Sequence, residues 1–194
     1  KCMTQKWWGE KVGSIIHNGI NLKQQKDIHP QLQDFRKKFK KIFVCSASWH
    51  RQKRLKENID FFLKNSDDSD ALFVLGKNPD CIVQNKRIIY FGLQPHDICL
   101  QIYSIADWFI HLAWLDHCPN VVVESLSQGC PVICTDSGGT KEIVGQNGVI
   151  IQEKNKYNFE LTDYDKPFEI DVKKIDLPNI DVINSYLDIK LVCD

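Results

Sequence analysis

The sequence of 194 residues holds a single methionine and starts on lysine, so it reads as a fragment or a processed piece of a longer protein. It lacks any apolar run near the roughly 20 residues that a membrane-crossing helix needs, and no signal-peptide pattern precedes the first apolar segment. That absence predicts a cytoplasmic chain, peripheral to a membrane only through parts lying elsewhere. It also lacks an excess of charge of either sign, with 25 Lys or Arg against 25 Asp or Glu. A chain made throughout for nucleic acid or an anionic surface is thereby excluded. Short Cys or His pairs of the metal-binding kind are missing too. Of the eight cysteines, Cys45, Cys81, Cys99, Cys130 and Cys134 stand in or beside apolar runs instead, Cys130 and Cys134 on one face of a strand, as expected for reduced core thiols.

What is present is the composition of a globular domain, 43% hydrophobic and 26% charged, long enough to bury about 70% of its unfolded surface. The charge is unevenly spread: residues 23–64 carry twelve basic against four acidic side chains, residues 152–194 six against ten. The basic run RKKFKK (36–41) has little aromatic interleaving and no nucleic-acid motif. A solvated surface explains it better than a nucleic-acid site.

Along the chain, Ile15 and Ile16 predict a short strand ending in a turn at His17, Asn18 and Gly19. A basic connector follows, whose Leu32, Phe35 and Phe39 fit one short helix. From residue 41 the pattern turns regular. Buried strands are predicted at 41–47, 71–76, 87–92, 108–112, 131–134 and 148–151. Leu55, Ile59, Phe62 and Leu63 mark an amphipathic helix after the first of them, and Ile98, Ile102 and Ile105 another that opens at Pro95. Continuous apolar strands alternating with helices predict an α/β fold, a Rossmann-like doubly wound parallel sheet of about six strands. Ligands of such sheets sit at the carboxyl ends of the strands. The loops there, SWHRQKR, GKNPD, GLQPH, AWLDHCPN and TDSGGT, hold most of the polar residues that look placed.

The richest stretch runs over residues 106–144. Asp116 and Glu124 frame a loop and the start of a helix, with Asn120 expected as the N-cap and Gly129 as the stop. A helix start of this kind presents free amides and partial positive charge to a phosphate or a sugar hydroxyl. Arg51, Lys53 and Arg54 are expected to converge on the same mouth. A charge-assisted hydrogen bond contributes about 1.5–3 kcal/mol and a helix end about 0.3–1, so a diphosphate would depend mainly on the basic side chains. Gly138 and Gly139 are expected simply to permit a turn. His111 reads as a core histidine, His96 as unremarkable, and Trp49, Trp108 and Trp114 as packing residues.

SWHRQKRLKENIDFF, RIIYFG, YSIADWFIHLAWLDHCPNVVVESLSQGCPVICTDSGGTKEIVGQNGVII and the earlier IIHNGI resemble, in order and spacing, glycosyltransferase family 4. The resemblance spans about residues 15–151. It implies retaining enzymes of the GT-B fold, two Rossmann-like domains facing across a cleft, of which this chain would be the C-terminal donor-binding one. The implied layout is a connector at 1–22, a nucleotide-sugar-binding domain at 23–151 and an acidic extension at 152–194 that ends in a helix over 183–192. The family's paired acidic motif falls on Asp116 and Glu124. Glu124 would hold the ribose; Asp116, one methylene shorter than the usual glutamate, would face the transferred sugar. Cys118, Pro119, Asn120 and Val121 would bring backbone amides to the sugar and diphosphate. Lys53 matches the phosphate-binding lysine, while the arginine expected three residues earlier is replaced by His50, with Arg51 beside it. Leu93 stands where the main chain meets the base.

The implied reaction is hexosyl transfer from a UDP- or GDP-linked sugar, with Lys53 and Arg51 stabilising the leaving diphosphate and Asp116 and Glu124 positioning the donor. No protein nucleophile, metal or cofactor is called for. The partners are the nucleotide sugar and an acceptor domain outside this chain, with no nucleic acid. A non-catalytic nucleotide-sugar-binding module and a GT-B nucleotide-sugar epimerase remain open as alternatives.

Overall fold

Every strand expected from residue 41 onward forms. The computed structural model describes residues 18–22, 27–158 and 160–188. In chain order its elements are α1 (Pro30–Lys38), β1 (Ile42–Ser48), a 3-10 turn (Arg51–Lys53), α2 (Leu55–Asn65), β2 (Ala71–Lys77) and β3 (Ile88–Gly92). Then come α3 (His96–Ile105), β4 (Trp108–His111), α4 (Asn120–Ser127), β5 (Val132–Thr135), α5 (Thr140–Val144), β6 (Gly148–Ile151) and a last 3-10 turn (Ser185–Leu187). The strand predicted at Ile15 and Ile16 lies outside the described residues.

The six strands are all parallel, in the order β3-β2-β1-β4-β5-β6. That is the doubly wound arrangement, and it follows from right-handed crossovers that run outward from β1 first to one side and then to the other. Side chains alternate across the strands, so each apolar run supplies two cores at once. Ile42, Val44, Phe73, Leu75, Phe109 and Val132 face a layer made by α1, α3, α4 and α5. Phe43, Cys45, Leu72, Val74, Ile110 and Ile133 face α2, whose Leu55, Ile59 and Phe62 are wholly buried.

On this second face the acidic extension continues the covering. Ile170, Val172, Ile175, Leu177 and Ile180 pack against the sheet and α2, and Asn65 clamps the strap by donating to the Lys173 carbonyl and accepting from the Ile175 amide. The segment is extended rather than helical. Its apolar residues recur at spacings of two, three, two and three, which suits a chain lying flat on a surface and not a 3.6-residue turn. Of the helix expected over 183–192, the described residues show one 3-10 turn. Asp188 then bridges Ile20, so the two ends of the described chain lie side by side.

Candidate functional site

The strand order places a crevice between β1 and β4, where successive connections leave in opposite directions. The loops after these two strands close upon each other there. Trp114 donates its amide to the Gln52 carbonyl at 2.9 Å, and the Gln52 side chain returns a bond to the Trp114 carbonyl at 3.0 Å. This pairing carries Lys53 toward Asp116, and their side chains meet at Nζ to Oδ2 2.5 Å. The same Asp116 oxygen also lies 3.0 Å from Nε2 of His111, at the end of β4. The side chains of Lys53, Asp116 and His111 are only 19%, 14% and 5% exposed, so water screens the array weakly. Burial alone would raise the Asp116 carboxyl. The hydrogen bond and charge of His111, and then those of Lys53, outweigh it and hold Asp116 well below the usual carboxylate range. Burial lowers His111, against the pull of Asp116, and so favours the neutral imidazole.

The acidic loop rests on two glycines whose lack of a side chain is a packing requirement. At Gly138, with φ +75°, a Cβ would stand 2.4 Å from the Asp116 carbonyl oxygen; at Gly139 it would stand 2.1 Å from that of His117. Gly139 also donates its amide to the Asp116 carbonyl at 2.8 Å. The pair therefore does more than permit a turn: it lets the loop after β5 press against the backbone beneath Asp116.

The other expected site residues are distributed around this centre. Helix α4 begins at Asn120 as expected, but its N-cap is Pro119, at φ −70°, and no side chain caps it. Asn120 is the first helical residue, and its side-chain oxygen accepts instead from Nδ2 of Asn18 at 2.8 Å. The Asn18 amide points to Sγ of Cys118 at 3.4 Å, which brings the predicted connector onto the 118–121 loop. Pro119 has no N–H, so any amides offered there belong to Cys118, Asn120 and Val121. Glu124, one turn into α4, is 3.2 Å from Nε2 of His96 at the start of α3, so His96 belongs to the site rim. His50 and Leu93 are exposed at the ends of β1 and β3.

Two of the three basic residues expected at the mouth are engaged elsewhere. Arg51 forms a bidentate pair with Glu57 of α2, at 2.5 and 3.0 Å. Arg54 is completely buried, in the left-handed region at φ 55°, and pairs with Glu153 beyond β6. Glu153 and the supporting roles of Gly138, Gly139 and His111 are what sequence reasoning missed. The sole signal for Glu153 was an acid two residues after the last strand. Trp49 and Trp114 are packing residues as expected; Trp49 is buried and donates Nε1 to the Leu75 carbonyl at 2.8 Å. Among the described residues, no cluster of three or more His, Cys, Asp or Glu could hold a metal ion.

A parallel sheet with a basic loop and an acidic loop meeting at its switch point is the architecture of a Rossmann-like half of a GT-B protein. The chain belongs to the glycosyl transferases group 1 family, whose model matches residues 25–161. It is 25% identical over 139 residues to the putative teichuronic acid biosynthesis glycosyltransferase TuaC of Bacillus subtilis (strain 168), covering 69% of this chain and 36% of that protein. Among solved structures it is similar to the sucrose-phosphate synthase of Thermosynechococcus elongatus, with TM-score 0.63 and 18% identity over 78% of this chain and 43% of the other. It is also similar to Anabaena HepE in complex with UDP and glucose, with TM-score 0.58 and 18% identity over 72% of this chain and 43% of that one. The chain thus spans little more than a third of the curated relative it matches, and less than half of these two solved chains.

Proposed function

We propose that this chain is the donor-binding half of a retaining glycosyltransferase that moves a hexosyl group from a UDP- or GDP-linked sugar to an acceptor held by the rest of a longer, cytoplasmic protein. The reading rests above all on the meeting of Lys53 and Asp116 across the crevice between β1 and β4. In it, the Lys53 ammonium moves from Asp116 to the diphosphate and stabilises the charge that develops as the sugar leaves. The amides of Asn120 and Val121, in the first turn of α4, and of Cys118 before it assist. Asp116 orients the transferred sugar and Glu124 the ribose. In this reading both act as positioning carboxylates, not as the acid and nucleophile of glycoside hydrolysis. Arg51 takes a lesser part than Lys53 because Glu57 already holds it. The likeness to HepE, solved with UDP and with UDP-glucose, favours a uridine donor.

Calorimetric titration with UDP, GDP, UDP-glucose and GDP-mannose tests this. One nucleotide pair is expected to bind, and Lys53→Ala to weaken it about 10- to 100-fold, the loss of one charge-assisted hydrogen bond. Glu124→Ala is expected to weaken nucleotide and nucleotide sugar alike, and Arg51→Ala to change affinity less than about threefold. Binding unaffected by both Lys53→Ala and Glu124→Ala would overturn the assignment.

A further inference from the structure

Asp116 carries two partners on a single oxygen, and only one of them is free to leave. Lys53 reaches it from the loop after β1 on a flexible four-carbon stem. His111 reaches it from the end of a buried strand, where the ring lies against Phe109, centroids 6.2 Å apart at 29°. Its register partner in β5 is Cys134. The charged groups acting on His111 are Asp116 and Lys53.

We propose that His111 is a positioning residue for Asp116: its imidazole fixes the carboxylate toward the mouth of the crevice and keeps hold of it when a diphosphate draws Lys53 away. The proposal rests on the donor-site reading above for its functional consequence, and on the 3.0 Å contact for its geometry. A carboxylate that lost its only cationic partner inside a largely buried site would turn toward water or take up a proton. A neutral imidazole avoids both outcomes, because it donates one N–H along a fixed direction and brings no charge to compete with the diphosphate for Lys53. The proton must then be on Nε2, the atom that faces Asp116.

The test uses the full chain with assigned spectra. Long-range proton–nitrogen correlations on the wild type should show a neutral His111 protonated on Nε2 at pH 7, with or without saturating UDP. A carbon-detected titration of the Asp116 carboxylate should move upward by about one pH unit in His111→Leu, the effect of removing one of two hydrogen bonds to the charged form. His111→Gln, whose amide nitrogen reaches a similar point, should restore the wild-type midpoint. A proton on Nδ1, an Asp116 midpoint unmoved in His111→Leu, or a glutamine as damaging as leucine would each overturn the proposal. If His111→Leu does not fold, the wild-type tautomer and the glutamine variant decide it. An Asp116 midpoint that responds in a chain that binds no nucleotide would leave the positioning role standing and remove the donor reading. Tight nucleotide binding with an unresponsive midpoint would do the reverse.

Discussion

Arg54 and Glu153 form a two-bond ion pair, at 2.8 and 3.2 Å, from which solvent is excluded: their side chains are 0% and 1% exposed. The guanidinium also donates to the carbonyls of Leu112, at the end of β4, and Phe168, in the extension. One side chain therefore ties together the loops after β1, β4 and β6 at the edge where the candidate site lies. Its neighbour in sequence is Lys53, so the turn that buries Arg54 is the turn that leaves Lys53 facing the crevice.

Removing one member of this pair leaves the other charged and buried. Glu153→Ala is expected to cost about 3–5 kcal/mol in urea denaturation. The double replacement Arg54→Met with Glu153→Leu should recover most of it, because desolvating both ions offsets much of their attraction. Equal losses in the single and double variants would show that the pair itself is strongly stabilising.

The two glycines under the acidic loop differ from a glycine that merely needs its backbone angle. Gly129 has φ +80° and open space around its missing Cβ, so Gly129→Ala should cost about 1 kcal/mol, for the left-handed conformation alone. Gly138→Ala and Gly139→Ala also drive a methyl into backbone oxygen and should cost at least about 2 kcal/mol. They should also weaken nucleotide-sugar binding by displacing Asp116, whereas Gly129→Ala should leave it unchanged.

Acid should reveal the Asp116 array. Because its carboxyl is held below the ordinary range in the folded chain, its contribution is complete above the unfolded value and is lost as the pH falls toward the folded one. Stability of the wild type should therefore drop more steeply below about pH 5 than that of Asp116→Asn. Parallel curves would mean that Asp116 has the same proton affinity folded and unfolded.

The buried thiols should be silent. Burial raises Cys45 and pushes Cys130 and Cys134 up to about 12, so few thiolates exist at pH 8. Iodoacetamide followed by mass spectrometry should leave these three unmodified in the native chain and label them after unfolding.

Much of this was visible in the chain itself. The six apolar runs, the glycine that ends α4 and the helix that opens at Asn120 are local patterns, and each was readable at its own position. Arg54 was not. A basic residue that opens a helix after a strand looks placed for a ligand at the mouth, and its burial depends on an acid 99 residues away. Asn120 misled for a local reason: it is a good cap, but Pro119 precedes it with a backbone angle already suited to opening the helix. The strap over the second face was hidden because its apolar residues fit neither a helix nor a regular strand.

Residue order alone determined the alternation of strand and helix, the parallel sheet and the edge at which polar loops gather, since hydrophobic periodicity and short right-handed connections leave few other packings. Only the tertiary structure decided which of three neighbouring cations faces the crevice, which acid neutralises the buried one, and what lies beneath Asp116. Those outcomes depend on contacts between segments far apart in sequence, and the cost of burying a charge is settled by the partner that folding brings to it.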